Sequence, residues 1–272
     1  MVRQVRLALK VAKAGHTGTL DPLATGVLPV CLGDATKVAQ FITEKDKSYD
    51  AVVKLGIETD TLDAQGKVTD TRPVPAIDAG IIEGVLAKFR GPQLQTPPMY
   101  SAVKVGGKRL YELARAGEEI ERAARPVTVH VLTLVDFSAD ELKLHVSCSK
   151  GCFVRSLALD VGRALGCGAH LKALRRTRSG VFTLAQAIPL KALIEQGLAA
   201  AQLVSIETAL SELPEISLNA AEAAKVQHGG LVETAHADGG PVRLVGPDAT
   251  LLAIADVLHG RLKYRRVLNP AT

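Results

Sequence analysis

The 272-residue chain has no long hydrophobic run. Hydrophobic residues make up 47% of it, yet no uninterrupted apolar stretch approaches the ~20 residues that a membrane-spanning helix needs. Its opening residues, M-V-R-Q-V-R, lack the apolar core of a signal peptide. We therefore expect a globular cytoplasmic protein with no membrane contact, built as one large domain or as a large one with a small appendage.

Cysteine is also scarce. The four cysteines, Cys31, Cys148, Cys152 and Cys167, form no C-x-x-C pair and are too sparse for a disulfide scaffold, so we expect reduced thiols. The most metal-like cluster is His145, Cys148 and Cys152, but His145 falls on the opposite face of a predicted strand from Cys148. We therefore predict no metal site.

Two other ligand-binding patterns are missing. Gly106-Gly107-Lys108 lacks the G-x-x-x-x-G-K-[ST] frame of a phosphate-binding loop. The acids of the turn at 59–66 do not fit calcium-loop spacing, so we interpret that turn as structural.

Charge, by contrast, is unevenly distributed. The net charge is +5 with a pI near 9.0, and the six basic and six acidic residues from Leu213 onward cancel. The whole excess therefore lies in the first 212 residues. This distribution favours a polyanionic partner for the larger part of the chain.

One stretch concentrates polar residues and glycines around a single carboxylate. In residues 15–26, G-H-T-G-T-L-D-P-L-A-T-G, Pro22 disfavours the α region for Asp21, and Gly15 and Gly18 permit backbone angles closed to other residues. Residues 27–32 form an apolar run that indicates a buried strand. We expect Asp21 on a turn backed by that rigid strand, although an Asp that merely caps a turn is the ordinary alternative.

The remaining pattern predicts a mixture of helices and strands. We predict helices over 2–14, 35–43, 81–90, 110–116, about 154–166, 189–197 and 220–228. Strands are predicted over 49–56, 127–137 and 142–148, with short ones after residue 229. Asp34 is placed to cap the second helix, and Glu212-Leu213-Pro214 is the predicted linker.

Basic residues form two candidate surfaces. A stripe of Arg3, Arg6, Lys10 and Lys13 on the first predicted helix is equally consistent with a solvated face and with phosphate contacts. The loop at 104–109, together with Tyr100 and Tyr111, suits backbone and base-stacking contacts with RNA, although a mobile surface hairpin would have the same composition.

Three segments together resemble one enzyme family. The string G-H-T-G-T-L-D-P-L-A-T-G-V-L-P at 15–29 resembles the active-site motif of the TruB family of tRNA pseudouridine synthases. Residues 150–155, K-G-C-F-V-R, resemble the family's K-G-x-Y-x-R segment, and residues 165–171 and 174–177 are similar to its last catalytic motif.

This resemblance implies an α+β fold. We expect the pseudouridine-synthase fold, with a central mixed, largely antiparallel sheet flanked by helices, over residues 1–212, including an RNA-binding insertion at about 92–126. Residues 213–272 would form a small PUA-like β-barrel that binds RNA. The implied activity is isomerisation of uridine 55 in the TΨC arm of tRNA, without metal or other cofactor. The implied protein is a monomer with no obligatory protein partner.

The resemblance also assigns catalytic roles. Asp21 would act as the nucleophile, and Arg155 would pair with it and keep it ionised. Tyr49 would stack on the uracil and place its hydroxyl near C5 for proton transfer.

Further roles concern the pocket and the RNA. Because the target base lies inside a folded arm, it must be flipped out. His16 would fill the vacated space, and Phe153 and Leu174 would complete an apolar pocket. The implied RNA-binding side chains are Lys37, Lys104, Lys108, Arg175 and Arg176.

Two departures from the family pattern leave alternatives open. Phe153 stands where the family usually has Tyr, and a segment of the form G-x-L-x-L-D-K-P is missing before the first helix, which raises the hypothesis that the chain is truncated or mis-started. One alternative is a non-catalytic RNA-binding or tRNA-folding protein. A glycosidase is another; it would need a second carboxylate, for which the neighbourhood offers only the distant Asp34.

Overall fold

The computed structural model describes residues 1–197 and 201–268. Contacts between residues divide the chain into two compact units. Unit 1 comprises residues 1–17, 30–43 and 188–272, and unit 2 comprises residues 18–29 and 44–187. No described helix is long and apolar enough to cross a membrane.

The secondary structure of the described residues is mixed. The α-helices are α1 Val2–Ala8, α2 Ala39–Thr43, α3 Ala79–Leu86, α4 Leu110–Arg115, α5 Val154–Ala164, α6 Leu190–Gln196, α7 Ile206–Ala209 and α8 Ala220–Gln227. Short 3₁₀ helices span Gly33–Lys37, Ala87–Phe89 and Leu184–Gln186. The strands are β1 Ala14–His16, β2 Thr25–Gly26, β3 Val30–Leu32, β4 Lys47–Leu55, β5 Ile57–Thr59, β6 Val68–Thr71, β7 Gly91–Gln95, β8 Lys104–Val105, β9 Lys108–Arg109, β10 Arg125–Phe137, β11 Glu141–Cys148, β12 Ala169–Ser179, β13 Phe182–Thr183, β14 Glu215–Ser217, β15 Gly239–Val245, β16 Leu251–Leu258 and β17 Arg261–Val267.

Unit 2 is built on one mixed sheet, which confirms the predicted α+β class. Its strand order is β13-β12-β4-β11-β10-β7, and the short β2 pairs with β12. The pairs along the main order are antiparallel, whereas β2 runs parallel to β12. The sheet is therefore mixed and largely antiparallel, as expected.

The core of unit 2 is formed by apolar side chains at alternate positions along the central strands. On β11, Leu142, Leu144, Val146 and Cys148 are buried, and they pack with side chains of α3, α5, β4 and β12. His145 lies on the other face, where its Nδ1 is 2.8 Å from an Asp50 carboxylate oxygen. This alternation confirms that His145 and Cys148 point to opposite sides of the strand.

One chain segment leaves this sheet at one strand and returns to it at the neighbouring strand. Gln95, the last residue of β7, is paired with Arg125, the first residue of β10. Residues 96–124 between them carry the β8–β9 hairpin and α4. The predicted insertion at about 92–126 therefore corresponds to a segment that begins and ends on neighbouring strands.

In unit 1 the first helix is shorter than predicted. α1 ends at Ala8, and Lys10 has a φ of 51°, a left-handed conformation in which a helix does not continue. Residues 14–16 instead form β1, antiparallel to β3 with Gly15 opposite Cys31. Lys10 and Lys13 therefore both lie outside the helix, and the predicted four-residue basic stripe is wrong for its second half.

The next segment of unit 1 also differs from expectation. The predicted strand at 27–32 is limited to β3, and the predicted helix at 35–43 is divided into a 3₁₀ helix and α2. Asp34 does not cap the 3₁₀ helix; its carboxylate lies 3.0 Å from Lys37 Nζ instead.

The last strands of unit 1 form a four-stranded sheet in the order β14-β15-β16-β17, packed against α8. Among the described residues β14 and β17 do not pair with each other, so the sheet is open and the closed barrel stays a prediction. The boundary after residue 212 stays a prediction too; the sheet lies wholly beyond it. Residues 198–200 and 269–272 of the two predicted domains lie outside the described residues.

Two helical glycines give a matched test of the core of unit 2. A Cβ on Gly162, in α5, would lie 2.3 Å from the Ala169 Cβ of β12, whereas a Cβ on Gly84, in α3, would meet nothing within 4 Å. We expect Gly162→Ala to lower the unfolding free energy by about 1–3 kcal/mol through overpacking. Gly84→Ala should raise it by about 0.4–1 kcal/mol, because alanine restricts the unfolded chain more. Thermal melting of both variants checks this prediction. A raised melting temperature for both variants would contradict the close helix–strand packing.

Candidate active site

The Asp21 turn belongs to unit 2. The Ala24 amide donates to the Asp21 carbonyl oxygen at 2.9 Å, and Gly18 adopts a φ of +122° just before the turn. The sequence therefore holds Asp21 on a turn, as predicted. About a third of its side chain, 32%, is exposed, which leaves the carboxylate within reach of a substrate.

Asp21 forms a two-point ion pair with Arg155. Arg155 Nε donates to Asp21 Oδ2 at 2.9 Å, and Arg155 Nη2 donates to Asp21 Oδ1 at 3.1 Å. The Arg155 side chain is only 4% exposed. Two charge-assisted bonds from one buried guanidinium fix the orientation of the carboxylate. The structure thus brings together the two residues that the sequence separates by 134 positions.

The guanidinium of Arg155 is itself held in place. Its Nη1 donates to the Thr61 carbonyl oxygen at 2.9 Å, and its Nη2 also donates to the Tyr100 carbonyl oxygen at 2.8 Å. Each guanidinium nitrogen therefore has a partner. Rotation of Arg155 away from Asp21 would break bonds with two separate segments.

A second buried carboxylate lies beside Arg155. Asp63 Oδ2 is 3.9 Å from Arg155 Nε, and the Asp63 side chain is 6% exposed. Asp63 Oδ1 accepts from the Thr61 hydroxyl at 2.7 Å and from the Gln65 amide at 3.0 Å. The sequence interpretation missed this residue because it gave the acidic turn a purely structural role. The one signal in the sequence was an Asp that closely follows two threonines.

The start of α5 is fixed by Gln95, another residue that the sequence interpretation missed. The Phe153 amide donates to Gln95 Oε1 at 2.7 Å, and Gln95 Nε2 donates to the Phe153 carbonyl oxygen at 3.1 Å. Gln95 is buried, whereas Phe153 is partly exposed. Arg155 is the second residue of α5. The two hydrogen bonds between Gln95 and Phe153 therefore also restrict the position of the Arg155 main chain.

Tyr49 and Leu174 lie on neighbouring strands of the sheet. Tyr49 on β4 is half-buried against the core that contains Leu174 of β12. Burial, the largest cause, raises the pKa of Tyr49 to about 12, although the nearby positive charge of Arg176 acts in the opposite direction. The phenol is therefore protonated at neutral pH and can serve as a hydrogen-bond donor.

The two consecutive arginines of β12 point to different environments. Arg175 is exposed, as an RNA-binding side chain must be. Arg176 is only 2% exposed, and its guanidinium donates to main-chain oxygens inside unit 2. The structure therefore corrects the RNA-binding assignment of Arg176, because a buried guanidinium with protein partners cannot also contact a phosphate.

The predicted basic loop is a hairpin of β8 and β9 with Lys104 and Lys108 exposed. Its turn residues, Gly106 and Gly107, have φ of +57° and +84°, the left-handed conformation that a tight hairpin turn requires. Two guanidinium carbons lie over the Tyr111 ring, with that of Arg109 5.8 Å and that of Arg115 5.5 Å from the ring centroid. Two cations therefore contact the ring that was predicted to stack on a base.

The other two predicted site residues belong to unit 1. His16 is the exposed last residue of β1, opposite Val30 of β3. Lys37 ends the first 3₁₀ helix and pairs with Asp34. No group of three or more His, Cys, Asp or Glu in residues 1–197 and 201–268 is arranged to hold a metal ion.

Family models match most of the chain. The model of the TruB family pseudouridylate synthase N-terminal domain matches residues 6–154. The model of the tRNA pseudouridylate synthase B C-terminal domain matches residues 155–213. The matched region contains Asp21, Tyr49 and Arg155, and it ends two residues before β14.

Individual proteins show the same similarity. The chain is 44% identical to tRNA pseudouridine synthase B of Aeromonas salmonicida (strain A449), over 99% of this chain and 89% of the relative. It is 49% identical to the protein of the same name from Aromatoleum aromaticum, over 90% of this chain and 80% of the relative. A solved structure titled "Crystal Structure of a Cbf5-Nop10-Gar1 Complex" contains a chain with a TM-score of 0.77 and 26% identity, over 98% of this chain and 79% of that one. The chain belongs to the TruB family of pseudouridine synthases.

Proposed function

We propose that this protein isomerises uridine 55 in the TΨC arm of tRNA to pseudouridine, with Asp21 as the nucleophile. The observation that carries the proposal is the bidentate Asp21–Arg155 pair, which presents one ionised, partly exposed carboxylate on a rigid base. The names of the relatives support tRNA as the substrate.

The reaction uses few protein groups. The bond from C1′ to N1 breaks, the uracil rotates, and a new bond forms from C1′ to C5; C5 loses a proton and N1 gains one. Asp21 would attack C1′ or assist departure of the uracil. Arg155 would hold the carboxylate ionised and aimed through its two hydrogen bonds. The isomerisation is redox-neutral overall and needs no external oxidant or reductant.

The target uridine must leave its stack before Asp21 can reach it. In the proposed complex, Tyr49 stacks against the flipped base and directs its protonated hydroxyl toward C5, while Phe153 and Leu174 supply apolar walls. His16 occupies the space that the base leaves. We also propose that the protein is cytoplasmic and monomeric.

The two carboxylates beside Arg155 do not favour a glycosidase. Such an enzyme needs a second carboxyl group facing the substrate. Asp63 is a second carboxylate close to the site, but its side chain is 6% exposed and one oxygen accepts two hydrogen bonds from its own turn. It is therefore placed to support Arg155 and not to protonate a leaving group.

The central experiment replaces the proposed nucleophile. We expect Asp21→Asn to lower tritium release from a T-arm stem-loop labelled at uridine C5 by at least about a thousandfold, because the amide is a far weaker nucleophile. Its affinity for tRNA should stay within several-fold of the wild type, since phosphate contacts dominate binding.

The matched control is Asp140→Asn, a substitution at an exposed turn in the same unit, where the carboxylate pairs with Lys54. It should retain wild-type turnover. Near-wild-type turnover by Asp21→Asn would remove Asp21 from its role. Tight tRNA binding without tritium release by the wild type would instead support the non-catalytic alternative.

The β8–β9 hairpin gives a separate prediction about binding. Lys104 and Lys108 are exposed on its two strands, so contacts with two phosphates would release about two counterions. We expect the double change Lys104→Gln and Lys108→Gln to reduce the slope of log K against log salt concentration by about 1–2. The control changes two exposed lysines that already have carboxylate partners, Lys143→Gln and Lys172→Gln. Equal slopes for the hairpin variant and the wild type would show that the hairpin does not contact phosphates.

A further inference from the structure

We propose that Arg176 is a positioning residue that fixes both ends of the Asp21 segment and joins them to Tyr49. The inference rests on the proposed function, since it assigns a role in the same reaction to a residue that touches neither substrate nor Asp21. It replaces the RNA contact that the sequence suggested for Arg176.

The first observation is the pair of side-chain bonds from Arg176. Its Nε donates to the Val27 carbonyl oxygen at 2.7 Å, and its Nη2 donates to the Gly18 carbonyl oxygen at 3.3 Å. Gly18 and Val27 bound the ten-residue segment that carries Asp21. One buried guanidinium therefore connects the two ends of this segment.

The main chain of Arg176 binds the same segment. The Val27 amide donates to the Arg176 carbonyl oxygen at 2.8 Å, and Gly26 is the register partner of Arg176 in the parallel β2–β12 pair. A Cβ on Gly26, which has a φ of +99°, would lie 2.1 Å from that carbonyl oxygen. Only glycine permits so close an approach, so this position links the motif at 15–29 to the motif at 174–177.

The third contact reaches Tyr49. Arg176 and Tyr49 are directly opposite each other in the antiparallel β4–β12 pair, which brings their side chains to the same face of the sheet. The positive charge of Arg176 also acts to lower the pKa of the Tyr49 phenol, against the larger effect of burial. Arg176 therefore lies opposite the strand residue proposed to stack on the base and binds the segment proposed to supply the nucleophile.

Burial of the Arg176 guanidinium costs free energy of hydration. A buried guanidinium must recover its lost hydration through good hydrogen bonds, and replacement by an apolar residue is often neutral for stability. The side-chain bonds that Arg176 makes are to two main-chain oxygens, one at each end of the Asp21 segment. These partners explain why arginine suits the position better than an apolar side chain, since a fork of several donors can reach both.

The test separates positioning from binding by single-turnover tritium release at saturating T-arm stem-loop. We expect Arg176→Gln to lower the rate at least tenfold while the Kd for the stem-loop stays within threefold. The charge-matched control is Lys172→Gln on the same strand, where an exposed lysine pairs with Glu141; it should keep the rate within twofold.

A double-mutant cycle with Tyr49→Phe identifies the route of the effect. If Arg176 acts through the phenol, the loss caused by Arg176→Gln should be at least threefold smaller in the Tyr49→Phe background. Strictly additive losses, or a rate for Arg176→Gln within twofold of the wild type, would overturn the proposal. Arg176→Lys, which keeps the charge but has a single donor group, replaces Arg176→Gln if the latter fails to fold.

Amide hydrogen exchange provides a readout that does not depend on activity. Arg176→Gln should speed exchange in residues 18–27 at least tenfold and leave α5 within twofold. Equal acceleration in both segments would indicate general loss of stability and contradict the inference. Absence of tritium release from the wild type and from Lys172→Gln would refute the proposed function, whereas the exchange comparison would still decide whether Arg176 holds the Asp21 segment.

Discussion

The site depends on one ion pair between a turn and a helix. The Asp21 carboxylate is partly exposed, and the Arg155 guanidinium beneath it is almost completely buried. A cation in this position is stable only if its donors are satisfied, and the carboxylate, the Thr61 carbonyl and the Tyr100 carbonyl satisfy them. Because these partners come from three segments distant in sequence, the ion pair also fixes how the three segments meet.

The sheet of unit 2 supplies the support that this arrangement requires. β12 holds the Asp21 segment through Arg176 and β2, and β7 holds the start of α5 through Gln95. Asp21 and its partner Arg155 are thus each fastened to a different strand of the same sheet. Hydrogen bonds to the main chain, which do not depend on flexible surface side chains, make most of these connections.

Local patterns were sufficient to predict some of this architecture. The Asp21 turn, the buried alternation on β11 and the general position of α5 follow from proline, from period-two hydrophobicity and from helical spacing, which are all properties of short windows. The roles of Asp63, Gln95 and Arg176 could not be predicted that way. Gln95 and Arg176 depend on partners 58 and 158 residues away, and Asp63 depends on its distance of 3.9 Å from Arg155. In addition, a buried polar side chain leaves no periodic signal in the sequence. The end of α1 was missed because the positive φ of Lys10 is unusual for that residue type.

The segment between β7 and β10 has a consequence for how the length and sequence of this region can differ among members of the family. Its ends are held together by strand pairing, so a change in its length costs only a small loop-closure entropy and leaves the register of the sheet unaltered. Its first residues are constrained, because Gln95 holds Phe153 and the Tyr100 carbonyl binds Arg155. Within the described residues, the stretch from Ala102 to Ala124 makes no main-chain or side-chain hydrogen bond to Asp21 or Arg155. A change in that stretch would therefore alter the surface around the Asp21–Arg155 pair and leave the bonds of the pair in place.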